Sequence, residues 1–218
     1  LMAKSFENIL LDRFKPYFGL TYNELVKALG CEGSKAKSKY FLVANEILTE
    51  KGSRGVDVTK SEEFKKSGII IKTIRLKANG SSAEAMSFEN INYFDIMKEE
   101  EWYESRLYDI FTGRFLFIVF QENEREETIL KNAFFWTMSV GDLEIAEEYW
   151  KNIKKNVEDN HISPEYFYKA SDRKNFHVRP KAQKATDVTA NPHGGSVKKF
   201  CYWFNKEYIK QIVEQNLR

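Results

Sequence analysis

The sequence predicts an α/β fold in which helices pack around a mixed central sheet, within a single domain spanning residues 1–218. The almost continuous apolar run RFLFIVFQ (114–121) is typical of a strand buried on both faces. A second strand is indicated by GIIIKTIRL (68–76), where three isoleucines run together and Lys72 interrupts an otherwise buried-looking stretch. Elsewhere apolar residues recur at helical spacing. No linker rich in Gly, Pro or Ser divides the chain, which favours one domain over two.

The other elements follow from periodicity and capping signals. Thr21 and Glu24 form a capping box that opens a helix ending at Gly30, and Ser139 with Asp142 marks the start of a long amphipathic helix. Further predicted helices lie at 4–13, at 35–52, near 100–111 and in the C-terminal NKEYIKQIVEQNLR. Further strands are predicted at 129–139 and 176–180, and a polar loop at 184–195.

Charge is distributed unevenly along the chain. The net charge is +2, but residues 169–218 contain eleven Lys and Arg against four Asp and Glu, so residues 1–168 are mildly acidic. A basic segment on an acidic body is typical of a protein with an anionic ligand, most often nucleic acid, although a solvated lysine-rich surface gives the same pattern. We expect residues from about 160 to 218 to form a basic, DNA-contacting arm.

Several classes of protein are disfavoured. No stretch approaches 18 apolar residues and no signal-peptide pattern is visible, so we expect no membrane partner. The two cysteines, Cys31 and Cys201, are far apart and lack metal-ligand spacing, which is typical of a reducing compartment. We therefore predict a cytoplasmic protein.

Lys72 is the chemically informative residue of the first apolar run. In a strand, residues two apart share a face, so an acidic residue at position 70 with Lys72 would be arranged as in many metal-dependent nucleases. Carboxylates there would hold Mg²⁺, and the lysine would orient the attacking water. Position 70 is Ile70, and the upstream carboxylates are Asp57, Glu62 and Glu63. The alternative is a core strand whose lysine extends its end toward water.

GIIIKTIRL resembles the strand of the MutH and Sau-three-AI family of GATC-specific DNA endonucleases, which runs Gly-apolar-Glu-apolar-Lys-Thr. Three further pieces are similar to the family in the same order over about 35–216: AEAMSFENINYFDIMKEEEWYESRLYDI with RFLFIVFQ, then FHVRPKAQ, then KKFCYWFNKEYIKQIV. The resemblance implies a restriction-endonuclease-like, MutH-like fold. It is greatest to the degenerate C-terminal copy of the domain in the type II restriction enzyme.

The resemblance also implies roles for individual residues. Lys72 matches the catalytic lysine, Glu63 falls about where the first aspartate stands, and Glu46 corresponds to a helical glutamate near the site. Ile70 replaces the central glutamate, and isoleucine cannot ligate a hard cation. The implied site is vestigial, so this domain would hold no metal and no cofactor, whereas the parent enzyme, a type II site-specific deoxyribonuclease, would use Mg²⁺.

The family's DNA contacts map onto the basic segment. Arg179 and Lys181 of the RPKA element would approach base edges in GATC, since Arg and Lys can donate to guanine O6 and N7. Trp203 falls on a tyrosine that in the family sits near the adenine. Lys72 would also face the DNA, and phosphate contacts would come from Lys198, Lys199, Lys206 and Lys210.

Three functions remain open at this point. The first is a catalytically inactive, allosteric effector domain that binds GATC-containing double-stranded DNA and activates a catalytic MutH-like domain in the same parent chain. The second is an active Mg²⁺-dependent endonuclease whose carboxylate has moved to Glu62, Glu63 or Glu84. The third is a protein-interaction domain that docks an acidic partner through its basic arm.

Overall fold

The computed structural model describes residues 5–49, 56–181 and 187–217 and confirms a mixed α/β architecture with a sheet flanked by helices. The helices are α1 (Phe6–Phe14), α2 (Tyr22–Leu29), α3 (Lys39–Leu48), α4 (Glu62–Ser67), α5 (Tyr93–Lys98), α6 (Arg106–Phe111), α7 (Val140–Glu158) and α8 (Lys206–Asn216). The strands are β1 (Ile69–Leu76), β2 (Met86–Asn90), β3 (Arg114–Glu122), β4 (Thr128–Trp136), β5 (Phe176–Pro180), β6 (Val188–Ala190), β7 (Ser196–Lys198) and β8 (Phe200–Phe204).

The chain divides into two compact units. Unit 1 comprises Leu1–Ala83, Gly113–Thr137 and Asn216–Arg218, and unit 2 comprises Glu84–Thr112 and Met138–Gln215. The prediction of one central sheet is wrong, because the described strands form two three-stranded sheets and a separate hairpin. Local periodicity identifies strands but not the partners with which they pair, so the sequence did not reveal this division.

The sheet of unit 1 has the order β1-β3-β4 and is mixed as predicted. β1 runs parallel to β3, and β3 is antiparallel to β4. One face, which carries Ile71 and Leu116, packs against a core built from α1 to α4. Side chains alternate along a strand, so Ile70 and Lys72 project from the opposite face.

Aromatic rings dominate that opposite face of the unit 1 sheet. Phe115 and Phe117 stack at 5.4 Å, and Trp136 lies 5.5 Å from each of them. Phe117 is fully buried and is the direct cross-strand partner of Lys72. Both faces of this sheet therefore bury apolar side chains, which explains why β1 and β3 lack a polar alternation.

The sheet of unit 2 is antiparallel, in the order β2-β8-β5. One face is an aromatic core in which Phe176 and Phe204 meet the rings of Phe111 and Tyr208. The other face carries the residues at the alternate positions of the strands. β5 and β8 supply two of its three strands, so the part of the predicted basic arm that reaches Gln215 belongs to unit 2, and Asn216–Arg218 are grouped with unit 1.

The predicted element boundaries are largely confirmed. α2 begins with the reciprocal Thr21–Glu24 capping box and ends at Gly30, whose φ of 62° is left-handed and favours glycine. The helix predicted near 100–111 is a short 3₁₀ turn at Trp102–Glu104 followed by α6. The predicted polar loop 184–195 instead contributes β6 to a hairpin with β7; its positions 184–186 lie outside the described residues.

Within the described parts of the chain, none of the helices combines the length and the apolar composition that crossing a membrane requires.

Candidate nucleic-acid interface

Lys72 is half-buried at the middle of β1, an edge strand of the unit 1 sheet. Ile70, also half-buried, precedes it on the same face. The parallel register sets Ile70 beside Phe115 and Lys72 beside Phe117. The aliphatic stem of Lys72 therefore lies among apolar neighbours, an arrangement that a long lysine side chain tolerates.

The two predicted acidic residues of the vestigial site lie on helices of unit 1. Glu46 is half-buried on α3, whose apolar residues pack on the Ile71 side of the sheet. Glu63 is exposed on α4 and lines an open pocket of about 240 Å³ together with Arg13 and Phe64. In the described part of the chain, that pocket has no lining residue from β1. Glu63 is thus placed at a pocket to which Ile70 and Lys72 do not contribute.

The described residues of unit 1 around Lys72 do not supply the oxygen ligands that a Mg²⁺ site needs. Magnesium requires oxygen ligands, usually carboxylates, and the strand position beside Lys72 is the hydrocarbon side chain of Ile70. Across residues 5–49, 56–181 and 187–217, no three His, Cys, Asp or Glu side chains are grouped so that they could hold a metal ion. Of the candidates for a moved carboxylate, Glu62 pairs with Lys65 at 3.7 Å, and Glu84 is exposed.

Arg179 is exposed near the end of β5 in unit 2, on the face of the sheet that lies opposite the aromatic core. Its guanidinium carbon lies 3.9 Å from the centroid of the Trp203 ring, a cation–π contact. Pro180 follows Arg179 and fixes the backbone dihedral φ at the strand end. Lys181, the next residue, is exposed.

Trp203 is only 8% exposed, which the sequence did not indicate. Its indole Nε1 donates a hydrogen bond of 3.1 Å to the backbone carbonyl of Arg179, and the His177 ring stacks nearly parallel to it at 5.9 Å. The indole N–H of Trp203 therefore already has a hydrogen-bond acceptor within the protein. Most of the indole surface is covered by protein.

The strand register separates the predicted phosphate contacts into two groups. Pro180 pairs with Phe200, so Lys181, Lys198 and Lys199 lie near Arg179 at one end of β5 and β8. Phe176 pairs with Phe204 at the other end, about 13 Å away along the strands. The residues that follow this second end are Lys206 and Lys210.

Individual lysines also differ in availability. Lys198 and Lys206 are exposed. Lys199 forms an ion pair with Asp187 at 2.7 Å, and Lys210 lies 3.8 Å from Glu214. Neutralised lysines contribute less to the attraction of an anion, so the basic patch is defined here as Arg179, Lys181 and Lys198.

His177 is the residue that sequence reasoning underestimated. His177 is fully buried and lies directly across from Trp203 on the neighbouring strand. Burial lowers the pKa of His177 to about 4, with the positive charge of Arg179 as a second cause. No sequence pattern predicts the stacking of His177 on Trp203, because that contact depends on the pairing of β5 with β8.

The depressed pKa of His177 makes the folded chain less stable in mild acid. The unfolded chain binds a proton near pH 6.5 and the folded chain only near pH 4, so stability from this residue is present above pH 6.5 and is lost as the pH falls toward 4. We expect His177→Phe, which keeps a flat ring beside Trp203, to reduce this acid-side loss by roughly 1–2 kcal/mol.

Urea denaturation of both chains at several values between pH 4 and pH 7.5 measures this effect. The solvent-exposed His161 offers a matched control for the exchange itself, since His161→Phe at pH 7.5 should change the free energy of unfolding by no more than about 0.5 kcal/mol. Identical pH profiles for the wild-type chain and His177→Phe would contradict the assignment.

The mixed α/β architecture, with a sheet flanked by helices, is compatible with a restriction-endonuclease-like fold, and the sheet of unit 2 carries an exposed basic patch. Over its whole length the chain is similar to the type II restriction enzyme Sau3AI of Staphylococcus aureus, with 26% identity over 260 residues. The match confirms the resemblance to the Sau-three-AI-like family as a partial homology. The chain spans about half of that relative, 53% of its length. No family model matches the chain.

Proposed function

We propose that this chain binds double-stranded DNA at GATC sequences and acts as a catalytically inactive, allosteric effector domain of a type II restriction enzyme. Two observations together carry the proposal. Ile70 occupies the position two residues before Lys72 on β1, and the sheet of unit 2 carries an exposed basic patch. The first feature removes a ligand that cleavage needs, and the second supplies charges that binding needs.

The basic patch supports contact with a nucleic acid. Arg179 is held by Trp203, and Lys181 and Lys198 lie near it at the same end of β5 and β8. Arginine beside lysine on a rigid corner suits both phosphate oxygens and the acceptor atoms of guanine in the major groove. The similarity to a type II restriction enzyme supports DNA as the anionic ligand.

The position of Ile70 supports binding without cleavage. Phosphodiester hydrolysis by a Mg²⁺-dependent nuclease depends on carboxylates that hold the metal near the scissile phosphate. Ile70 offers no oxygen, and Glu63 is directed to a pocket lined by α1 and α4 residues such as Leu10 and Phe64. The catalytic partner in the proposal is a second MutH-like domain of the same parent chain, which this domain would activate when it holds its own GATC site.

The direct test is to incubate the chain with a GATC duplex and with a scrambled duplex, with and without Mg²⁺. We expect preferential binding of the GATC duplex, an affinity that falls steeply between about 50 and 200 mM salt, and no cleavage in either metal condition. Efficient Mg²⁺-dependent cleavage would overturn the inactive-domain proposal and favour a carboxylate that has moved to Glu62, Glu63 or Glu84.

Binding that does not distinguish the two duplexes would overturn GATC recognition. It would favour the third function, in which the basic patch docks an acidic protein. Calorimetry with Mg²⁺ and Mn²⁺ in the presence of DNA separates the first two functions independently, because an active site would take up metal and an effector site would not.

A further inference from the structure

We propose that Trp203 and His177 are positioning residues that hold Arg179 ready for DNA, and that Trp203 does not itself contact a base. This inference rests on the DNA binding proposed above and specifies how the site is organised. It also departs from the family resemblance, which implies a role for Trp203 beside the adenine.

Trp203 holds Arg179 at two points. The indole face lies 3.9 Å from the guanidinium carbon, and the indole Nε1 donates to the Arg179 carbonyl at 3.1 Å. One contact fixes the side chain and the other fixes the backbone of the same residue. An arginine side chain loses much rotamer freedom when it is ordered, so a platform that orders it before binding lowers the entropic cost of contacting DNA.

The burial of Trp203 argues against direct stacking on a base. A base that stacks on an aromatic ring needs an exposed ring face, and Trp203 is 8% exposed. Its single donor is already bonded to the Arg179 carbonyl. The ring therefore has neither a free face nor a free donor to offer, while Arg179 in front of it is exposed.

His177 supports the same arrangement from the neighbouring strand. It pairs with Trp203 across the sheet, and the two rings are stacked with an interplanar angle of 15°. His177 is fully buried, and among the described residues neither of its ring nitrogens has a hydrogen-bond partner. A buried polar ring without partners is costly, and its flat shape against the indole gives a physical reason for its presence.

The spacing of His177 and Arg179 along β5 allows Trp203 to contact both residues. His177 and Arg179 are two apart, so they project from the same face, and Trp203 reaches both from β8. Removing the indole would release the Arg179 side chain without removing its charge. If Trp203 acts only by positioning Arg179, removing the indole should weaken binding only while Arg179 is present. A purely structural role for Trp203 would weaken binding whether or not Arg179 is present.

The experiment is a double-mutant cycle on GATC duplex affinity with Arg179→Ala, Trp203→Leu and both together. If Trp203 acts through Arg179, Trp203→Leu weakens binding roughly three- to thirty-fold in the wild-type chain and has almost no effect in the Arg179→Ala chain. Trp203→Phe, which retains a ring but no donor, should restore much of the affinity. Urea denaturation establishes that each variant is folded.

A second measurement uses the unsubstituted chain. Protons of the Arg179 guanidinium that lie over the indole face should resonate upfield of ordinary arginine values, both in the free protein and in the complex. This readout does not require any variant to fold, and a free protein without the upfield shift would overturn the positioning role.

The outcomes separate the two proposals. If the wild-type chain does not bind a GATC duplex, the proposed function fails and the role of Arg179 fails with it. If the wild-type chain binds and Trp203→Leu weakens binding equally in both backgrounds, DNA binding stands and the positioning role is overturned, because Trp203 then contacts DNA or acts through the fold. If Trp203→Leu weakens binding in the wild-type chain but not in the Arg179→Ala chain, DNA binding and the positioning role of Trp203 are both supported.

Discussion

Arg179→Ala should lower the affinity of the chain for a GATC duplex by about tenfold or more, which corresponds to about 1–3 kcal/mol. Arg179 is exposed, ordered by Trp203 and located at the same end of the strands as Lys181 and Lys198. A guanidinium in this position can donate two hydrogen bonds to one guanine or one phosphate. The affinity is measured by fluorescence anisotropy with labelled GATC and scrambled duplexes.

Lys206→Ala is the matched control, since it removes one exposed positive charge at the opposite end of β8. We expect it to change affinity by less than about threefold, because Lys206 lies outside the basic patch, about 13 Å away along the strands, and an exposed charge at that distance is largely screened by salt. Equal losses of affinity for Arg179→Ala and Lys206→Ala would show that DNA is attracted by the overall positive charge and not by a localised site at Arg179.

The salt dependence of Arg179→Ala shows which kind of contact it makes. If Arg179 contacts a phosphate, its removal reduces the slope of log affinity against log salt by about 1 and weakens both duplexes alike. If it contacts a base, the slope is unchanged and the GATC duplex loses its advantage. The proposal of GATC recognition by this residue requires the second result.

Phe204→Ala should lower the free energy of unfolding by about 3–5 kcal/mol, a large share of the stability of an ordinary domain. Phe204 is fully buried at the end of β8, where its ring lies 4.6 Å from that of Phe88 and 5.1 Å from that of Phe111. Truncation to alanine leaves a cavity among rings that cannot collapse freely. Urea denaturation followed by circular dichroism measures the change.

Phe94→Ala is the control for this substitution, because it removes the same side chain from a position that is 45% exposed on α5. Its expected effect is within about 0.5 kcal/mol. A Phe204→Ala effect below about 1 kcal/mol would contradict the central place that the structure gives to Phe204 in the core of unit 2.

Much of the local structure was predictable because it depends on near neighbours in the chain. The Thr21–Glu24 capping box and the Gly30 terminus define α2, and the stripe of apolar residues that begins after Ser139 defines α7. The apolar run around Phe117 marks β3 as a buried strand. Each of these signals lies within a few neighbouring residues, so the structure that it predicts does not depend on how distant parts of the chain pack.

The candidate site was predictable only in part. Ile70 and Lys72 share a face of one strand, and the period of a strand fixes that without any tertiary information. The pocket beside Glu63 was not predictable, since α4 can pack in several directions from the same sequence. The isoleucine at position 70 was therefore visible in the sequence, but the neighbours of Glu46 and Glu63 were not.

The sequence by itself determined α2 and α7, the buried strand β3, the isoleucine two positions before Lys72 and the concentration of positive charge in the last fifty residues. Only the tertiary structure decided that the strands form two sheets, that Trp203 is buried beneath Arg179, and that Lys198 and Lys206 lie at opposite ends of one strand pair. The physical reason is that strand pairing joins segments distant in the chain. The register of that pairing sets which side chains meet, and local sequence patterns do not encode it.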